Sequence, residues 1–102
     1  MSEKDRIIQV VYQAVDEVNE LFPEDQWLKK KPDTPLYAKG GGLDSLSLVR
    51  LIIETEQKIE EEFGVQLSLA SEKAFSMKNS PFASIQALAD FISLMMQEDA
   101  NA

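Results

Sequence analysis

Apolar residues return at helical spacing in three separate stretches of this chain, and that periodicity points to an all-α fold. In the first stretch Ile7, Ile8, Val10, Val11, Ala14, Val15, Val18, Leu21 and Phe22 form one broad stripe at about 100° per residue. Ser2, with Asp5 three residues on, is placed to cap that helix. A second stripe of Leu48, Val49, Ile52, Ile53, Ile59 and Phe63 follows a cap at Asp44 or Ser45 and stops at Gly64. Ser47, Arg50, Glu54, Gln57, Lys58, Glu61 and Glu62 face other directions in this reading. Glu56 falls inside the stripe, reaching either a hydroxyl or lysine at the rim or a solvated edge. Ser84 caps a third helix with Ile85, Leu88, Ala89, Ile92, Met95 and Met96 on its inner face, and residues 97–102 are expected to fray.

The connections are less regular. From Pro23 to Leu43 the chain holds Pro32, Pro35 and Gly40-Gly41-Gly42, so a long loop is expected, with a short helical turn near 23–28. Trp27, Leu28, Leu36 and Tyr37 are the side chains available to tie that loop to the core. Val65, Leu67 and Leu69 alternate, but a lone strand has no partner, which favours an extended connector. Residues 71–76 read as a short helix with Ala74 and Phe75 inward, Asn79-Ser80-Pro81 as a turn, and Pro81-Phe82-Ala83 as one further helical turn. The expected whole is a single domain over 1–102, ordered from about 4 to 96. It is a four-helix bundle with three longer helices, one or two short ones and a long loop between the first two long helices.

With 102 residues there is room for one modest core and none for a cleft between lobes. Asp and Glu number 18 against 10 Lys and Arg, a net charge of −8. Such a surface repels nucleic acid and anionic membranes and attracts partners with basic patches, although charge of this kind also simply keeps a protein soluble and monomeric. The absence of Cys and His excludes disulfides, thiolate or imidazole metal sites, and catalysis by either residue. Nothing resembles a nucleophile with an adjacent base, so no catalytic residue is assigned and an enzyme is not expected. The N-terminus lacks a secretory apolar region and no stretch is long and apolar enough to span a bilayer; a soluble, cytoplasmic monomer is expected. Lys29-Lys30-Lys31 reads as a solvated loop, and Glu60-Glu61-Glu62 as a poor metal site, because successive helical side chains point apart.

The segment Gly40-Gly41-Gly42-Leu43-Asp44-Ser45-Leu46-Ser47-Leu48-Val49 is the informative one. It puts a serine hydroxyl at a helix N-terminus, where unpaired N–H groups and the helix dipole favour negative charge. A phosphodiester on that oxygen would sit in a favourable field. The glycines leave room for an enzyme to approach, Asp44 caps the helix, and Leu46 offers an apolar contact beside the serine. Asp-Ser before an apolar run is also a common plain cap. What adds weight is its placement, opening the second long helix of a small acidic helical domain after a long loop.

Three features in order resemble the acyl carrier protein family. Asp44-Ser45-Leu46 matches the family's attachment motif at the start of helix 2, and Glu60-Glu61-Glu62-Phe63-Gly64 matches the acidic end of that helix. Ser84-Ile85-Gln86-Ala87-Leu88-Ala89-Asp90-Phe91-Ile92 is similar to its last helix, so the resemblance runs from about Lys4 to Met96. It implies a 4'-phosphopantetheine arm placed on Ser45 by a phosphopantetheinyl transferase, with acyl groups held as thioesters for fatty-acid or polyketide chemistry. Partners would be acyl-loading and acyl-transfer enzymes with basic docking patches. The chain departs from the family at Ser47 and Arg50, where acids are common, so Glu54, Glu61 and Glu62, with Arg50, become the expected recognition residues. Helix 2 is about one turn longer than is usual and the segment from Leu67 to Ser84 is longer too, which points to a specialised stand-alone member. Val49, Ile52, Ile53, Phe75, Phe82 and Ile85 either line an acyl pocket or are ordinary core. An aminoacyl, D-alanyl or peptidyl carrier stays open, although Gly41-Gly42-Leu43-Asp44-Ser45 only half fits the peptidyl pattern. So does an acidic helical interaction module without a prosthetic group.

Overall fold

The computed structural model describes residues 2–37, 42–70 and 80–100, with the backbone alone at 99 and 100. Those residues contain three α-helices, α1 (Glu3–Asn19), α2 (Ser45–Phe63) and α3 (Ile85–Ala100), and a 3-10 turn at Glu24–Gln26. The described residues form no strand; an isolated antiparallel bridge joins Pro35 to Ser84. α1 packs against both other helices. Its Ile7, Val11, Ala14, Val15 and Val18 are wholly buried against Leu51 and Ile59 of α2 and Ile85, Leu88 and Ile92 of α3, in one core. The expected short helix over 71–76, with Ala74 and Phe75, lies outside the described residues.

Helix ends follow side-chain chemistry. Ser2 Oγ accepts the Asp5 N–H at 3.2 Å, so α1 starts where a hydroxyl is available to cap it. α2 stops at Gly64, whose φ of 70° is left-handed and whose N–H donates to the Glu60 carbonyl. A Cβ at Gly64 would meet nothing within 4 Å, so only backbone strain opposes a larger residue there. Gly64→Ala is therefore expected to cost about 1 kcal/mol, read as a lower urea midpoint, and Gly64→Asn less. α3 continues through Ala100, past the fraying expected from 97.

The burial pattern of α2 corrects the sequence reading. Its buried residues are Ser47, Leu51, Ile52, Glu54, Thr55 and Ile59. Val49 and Ile53, assigned to the inner stripe, face outward, while Leu51 is fully buried. Apolar side chains lie on more than one side of this helix, and α1 covers only one of them. Polar members of the inner side are satisfied internally: Thr55 Oγ1 donates to the Leu51 carbonyl at 2.7 Å. On α3, Phe91 and Ser93 join the buried set.

The long loop is stitched down at both ends. Asn19, buried at the end of α1, donates from Nδ2 to the Leu28 carbonyl and accepts the Leu28 N–H on Oδ1, at 3.1 and 2.9 Å. Leu28 Cδ2 lies only 2.9 Å from where a Cβ at Gly42 would stand, so glycine permits the approach. Further on, the Pro32 and Thr34 carbonyls accept the N–H groups of Gln86 and Ile85, and Ser84 Oγ accepts that of Ala87. The first turn of α3 is thus satisfied by the loop. Leu36 and Tyr37 donate their N–H groups to the Ala83 and Phe82 carbonyls at 3.1 and 2.9 Å. Residues 81–83 form a single hydrogen-bonded turn, the Ala83 N–H donating to the Ser80 carbonyl at 3.3 Å, and no helix is formed there. Leu36 is buried and Leu28 half-buried, as anchors should be. Trp27 and Tyr37 are exposed instead, the Trp27 indole N–H being satisfied by the Phe22 carbonyl at 3.0 Å.

Candidate functional site

At the start of α2, Asp44 has extended backbone angles (φ −87°, ψ −179°) and accepts the Ser47 N–H on Oδ1 at 2.8 Å. Its carbonyl takes the Leu48 N–H at 2.9 Å. Two bonds into one residue fix Asp44 as the cap and Ser45 as the first helical residue, with its side chain exposed. The Ser47 hydrogen bonds hold the Asp44 carboxyl below the usual carboxylate range. A lowered carboxyl stabilises the fold above its unfolded value, about 3.9, and loses that contribution as pH falls through its folded value. At neutral pH Asp44 is therefore a firmly ionised cap beside Ser45.

Below this corner Leu43 is buried, and its N–H donates to the Leu36 carbonyl at 3.2 Å. Above it, Tyr37 Oη lies 3.3 Å from Ser45 Oγ. Along α2, Leu46, Val49 and Ile53 are exposed by 82%, 52% and 43%. Their i, i+3, i+7 spacing makes one apolar strip leading away from Ser45.

Other expected site residues are placed differently. Glu54, read from the sequence as exposed, is only 8% accessible. Its carboxyl pairs with Arg50 Nε at 3.1 Å. The neighbouring Glu17 carboxyl of α1, together with burial, pushes Glu54 up from the usual glutamate range. Glu17 is held down by its Glu54 neighbour and by Lys58, whose Nζ donates to it from 3.0 Å. Glu54 thus belongs to the α1–α2 joint, where its neighbours absorb the charge. Glu62 is exposed but pairs with Arg6 at 2.9 Å, and the Arg6 guanidinium sits 4.6 Å from the Phe63 ring centre. Glu61 and Arg50 remain on the surface. Of the six pocket candidates, Ile52, Phe82 and Ile85 are buried core, Val49 and Ile53 face outward, and Phe75 lies outside the described residues.

The structure thus gathers Asp44, Ser45, Leu46, Val49, Ile53 and Tyr37 at one corner and leaves Glu54 out of it. Tyr37 is the member that sequence reasoning assigned elsewhere; no periodicity links a loop residue to one eight positions on. The outward strip did carry a signal, since Leu46, Val49 and Ile53 are three apolar residues at helical spacing. Among the described residues no group of three acidic side chains is arranged to hold a metal ion, and no helix is long and apolar enough to cross a membrane. No protein-family model, no curated protein and no solved structure matches this chain.

Proposed function

We propose that the chain is an acyl carrier whose Ser45 hydroxyl takes a 4'-phosphopantetheine arm. The observation that carries this reading is an exposed serine hydroxyl at the first position of a capped 19-residue helix, beside an outward apolar strip. The corner fits the group in three respects. The hydroxyl is uncovered, so a transferase has access to it. The positive end of the α2 dipole favours a phosphodiester at this point. Asp44 turns Oδ1 to the Ser47 N–H, which anchors the cap next to the modified residue. When bound, the arm supplies a terminal thiol on which acyl groups are held as thioesters. The protein's own residues then act by display. Asp44 fixes the helix start, Ser45 holds the arm, and Leu46, Val49 and Ile53 offer an apolar footing for partner enzymes. A net charge of −8 draws partners with basic patches. The resemblance of Asp44-Ser45-Leu46 and its flanking features to the acyl carrier family adds to this support. Aminoacyl, D-alanyl and peptidyl cargo fit the same corner.

A second reading rests on the strip alone: an acidic helical module that docks a partner on Leu46, Val49 and Ile53 with no prosthetic group. The two separate in one experiment. On incubation with coenzyme A, magnesium and a broad-specificity phosphopantetheinyl transferase, the intact protein is expected to gain the mass of one phosphopantetheine. Ser45→Ala is expected to gain none, a complete loss, while Ser68→Ala, at an exposed serine after α2, is modified as before. An unmodified wild-type protein refutes the carrier and leaves the module.

A further inference from the structure

We propose that Tyr37 is a positioning residue for Ser45, its phenol holding the serine hydroxyl in one orientation before loading and lying against the phosphodiester afterwards. This inference rests on the carrier reading above. Tyr37 Oη and Ser45 Oγ are 3.3 Å apart, a long hydrogen bond between two exposed side chains. Its persistence depends on how well each end is anchored. Ser45 is fixed by the Asp44 cap. Tyr37 is fixed through its own N–H to the Phe82 carbonyl at 2.9 Å and through Leu36, which is fully buried and bonded to Ala83 and Leu43. The phenol therefore reaches Ser45 from a loop tied to the segment before α3.

The chemistry gives the contact a use. A serine hydroxyl has one proton and two lone pairs, and a phenol is the more acidic O–H, the better donor of the two. A phenol donating to one lone pair leaves the other lone pair and the serine proton to face solvent. In loading, the Ser45 Oγ–phosphorus bond forms as the pyrophosphate P–O bond of coenzyme A breaks. The adenosine bisphosphate leaves, and the serine proton passes to a base of the transferase. One held rotamer raises the fraction of encounters in which Oγ is aligned for attack. Afterwards the phosphodiester oxygens are charged and accept more strongly than the hydroxyl did.

Tyr37→Phe keeps the ring and removes only the hydroxyl. Four measurements on the full chain test its role: thermal midpoint, Ser45 Hα–Hβ coupling constants in the unmodified protein, loading kinetics, and the phosphorus NMR shift of the loaded protein. The expected result is an unchanged midpoint, with Ser45 couplings that report one dominant rotamer in wild type and averaged rotamers in the variant. Loading kcat/KM should fall roughly two- to tenfold, the worth of one neutral hydrogen bond, and the fall should lie in kcat more than in KM. The phosphorus resonance should move between wild type and variant. Wild-type loading with identical couplings, kinetics and phosphorus shift in Tyr37→Phe overturns the positioning role while the carrier reading stands. Absence of loading in wild type removes both.

Discussion

Leu51→Ala is expected to destabilise the protein by about 2–5 kcal/mol, whereas Val49→Ala should shift stability by no more than about 0.5 kcal/mol. Leu51 is fully buried on the side of α2 that meets α1, so truncation removes its transfer energy and leaves a cavity that the two helices cannot close. Val49, two residues earlier, faces outward with half its surface in water. For a domain of this size the larger figure is a substantial share of total stability. Urea unfolding should show the Leu51 variant with a much lower midpoint and an unchanged slope. Equal losses at the two positions would mean that α2 is rotated from the orientation described, with the strip beside Ser45 turned inward.

The orientation of α2 is also where sequence reading was weakest. For α1 the stripe in the sequence and the buried face largely coincide from Ile7 to Val18, with Ile8 only half-buried, while Leu21, also assigned to the stripe, lies past the helix and is exposed. On α2 apolar residues surround much of the circumference, and periodicity alone does not say which side the neighbour takes. Leu51, Thr55 and Ile59 lie inward at i, i+4, i+8, but Thr55 is polar by type and its hydroxyl is absorbed by the helix backbone. A pattern scored by residue type misses a threonine satisfied in this way. Glu54 is the same lesson with a charge. A carboxyl group that finds Arg50 on its own helix and lies beside Glu17 across the joint is buried where hydropathy places it outside.

Local chemistry was easier to read than packing. Ser2, Asp44, Gly64 and Ser84 each announce a helix end, because caps depend on one side chain and its next few N–H groups. The candidate attachment corner is legible for the same reason: Asp44 and Ser45 are local to α2. Tyr37 is not. It arrives through a loop whose course is set by contacts with 82–86, more than forty residues away along the chain. The buried Asn19 clamp on Leu28 belongs to this class too, since an asparagine at a helix end reads as a surface residue until its partner is seen. A corner built from one helix start can be found in a sequence, and side chains that reach it from a distance need coordinates.

Glu56→Ala is expected to cost about 1–3 kcal/mol and to loosen the chain after α2, with Glu56→Gln recovering roughly half of the loss. The sequence placed Glu56 among apolar residues and offered it a hydroxyl, a lysine or solvent. Its partner is instead a backbone group, with Oε2 accepting the Leu69 N–H at 2.8 Å. Leu69 is fully buried, so that N–H has no ready exchange for water if the carboxylate is removed. One turn further along α2, Glu60 accepts from Gln66 Nε2 at 3.0 Å, so two glutamates at i and i+4 pin the returning connector from one side. Val65, Leu67 and Leu69 turn inward while Gln66 and Ser68 stay in water. The alternation is thus held by helix side chains and needs no partner strand. Amide hydrogen exchange tests this at a single site. Leu69 should exchange faster in Glu56→Ala, with slower exchange restored in Glu56→Gln, which keeps a carbonyl acceptor without the charge. Equal protection of that amide in all three proteins would show that burial of the Leu69 side chain is sufficient and that the carboxylate adds nothing.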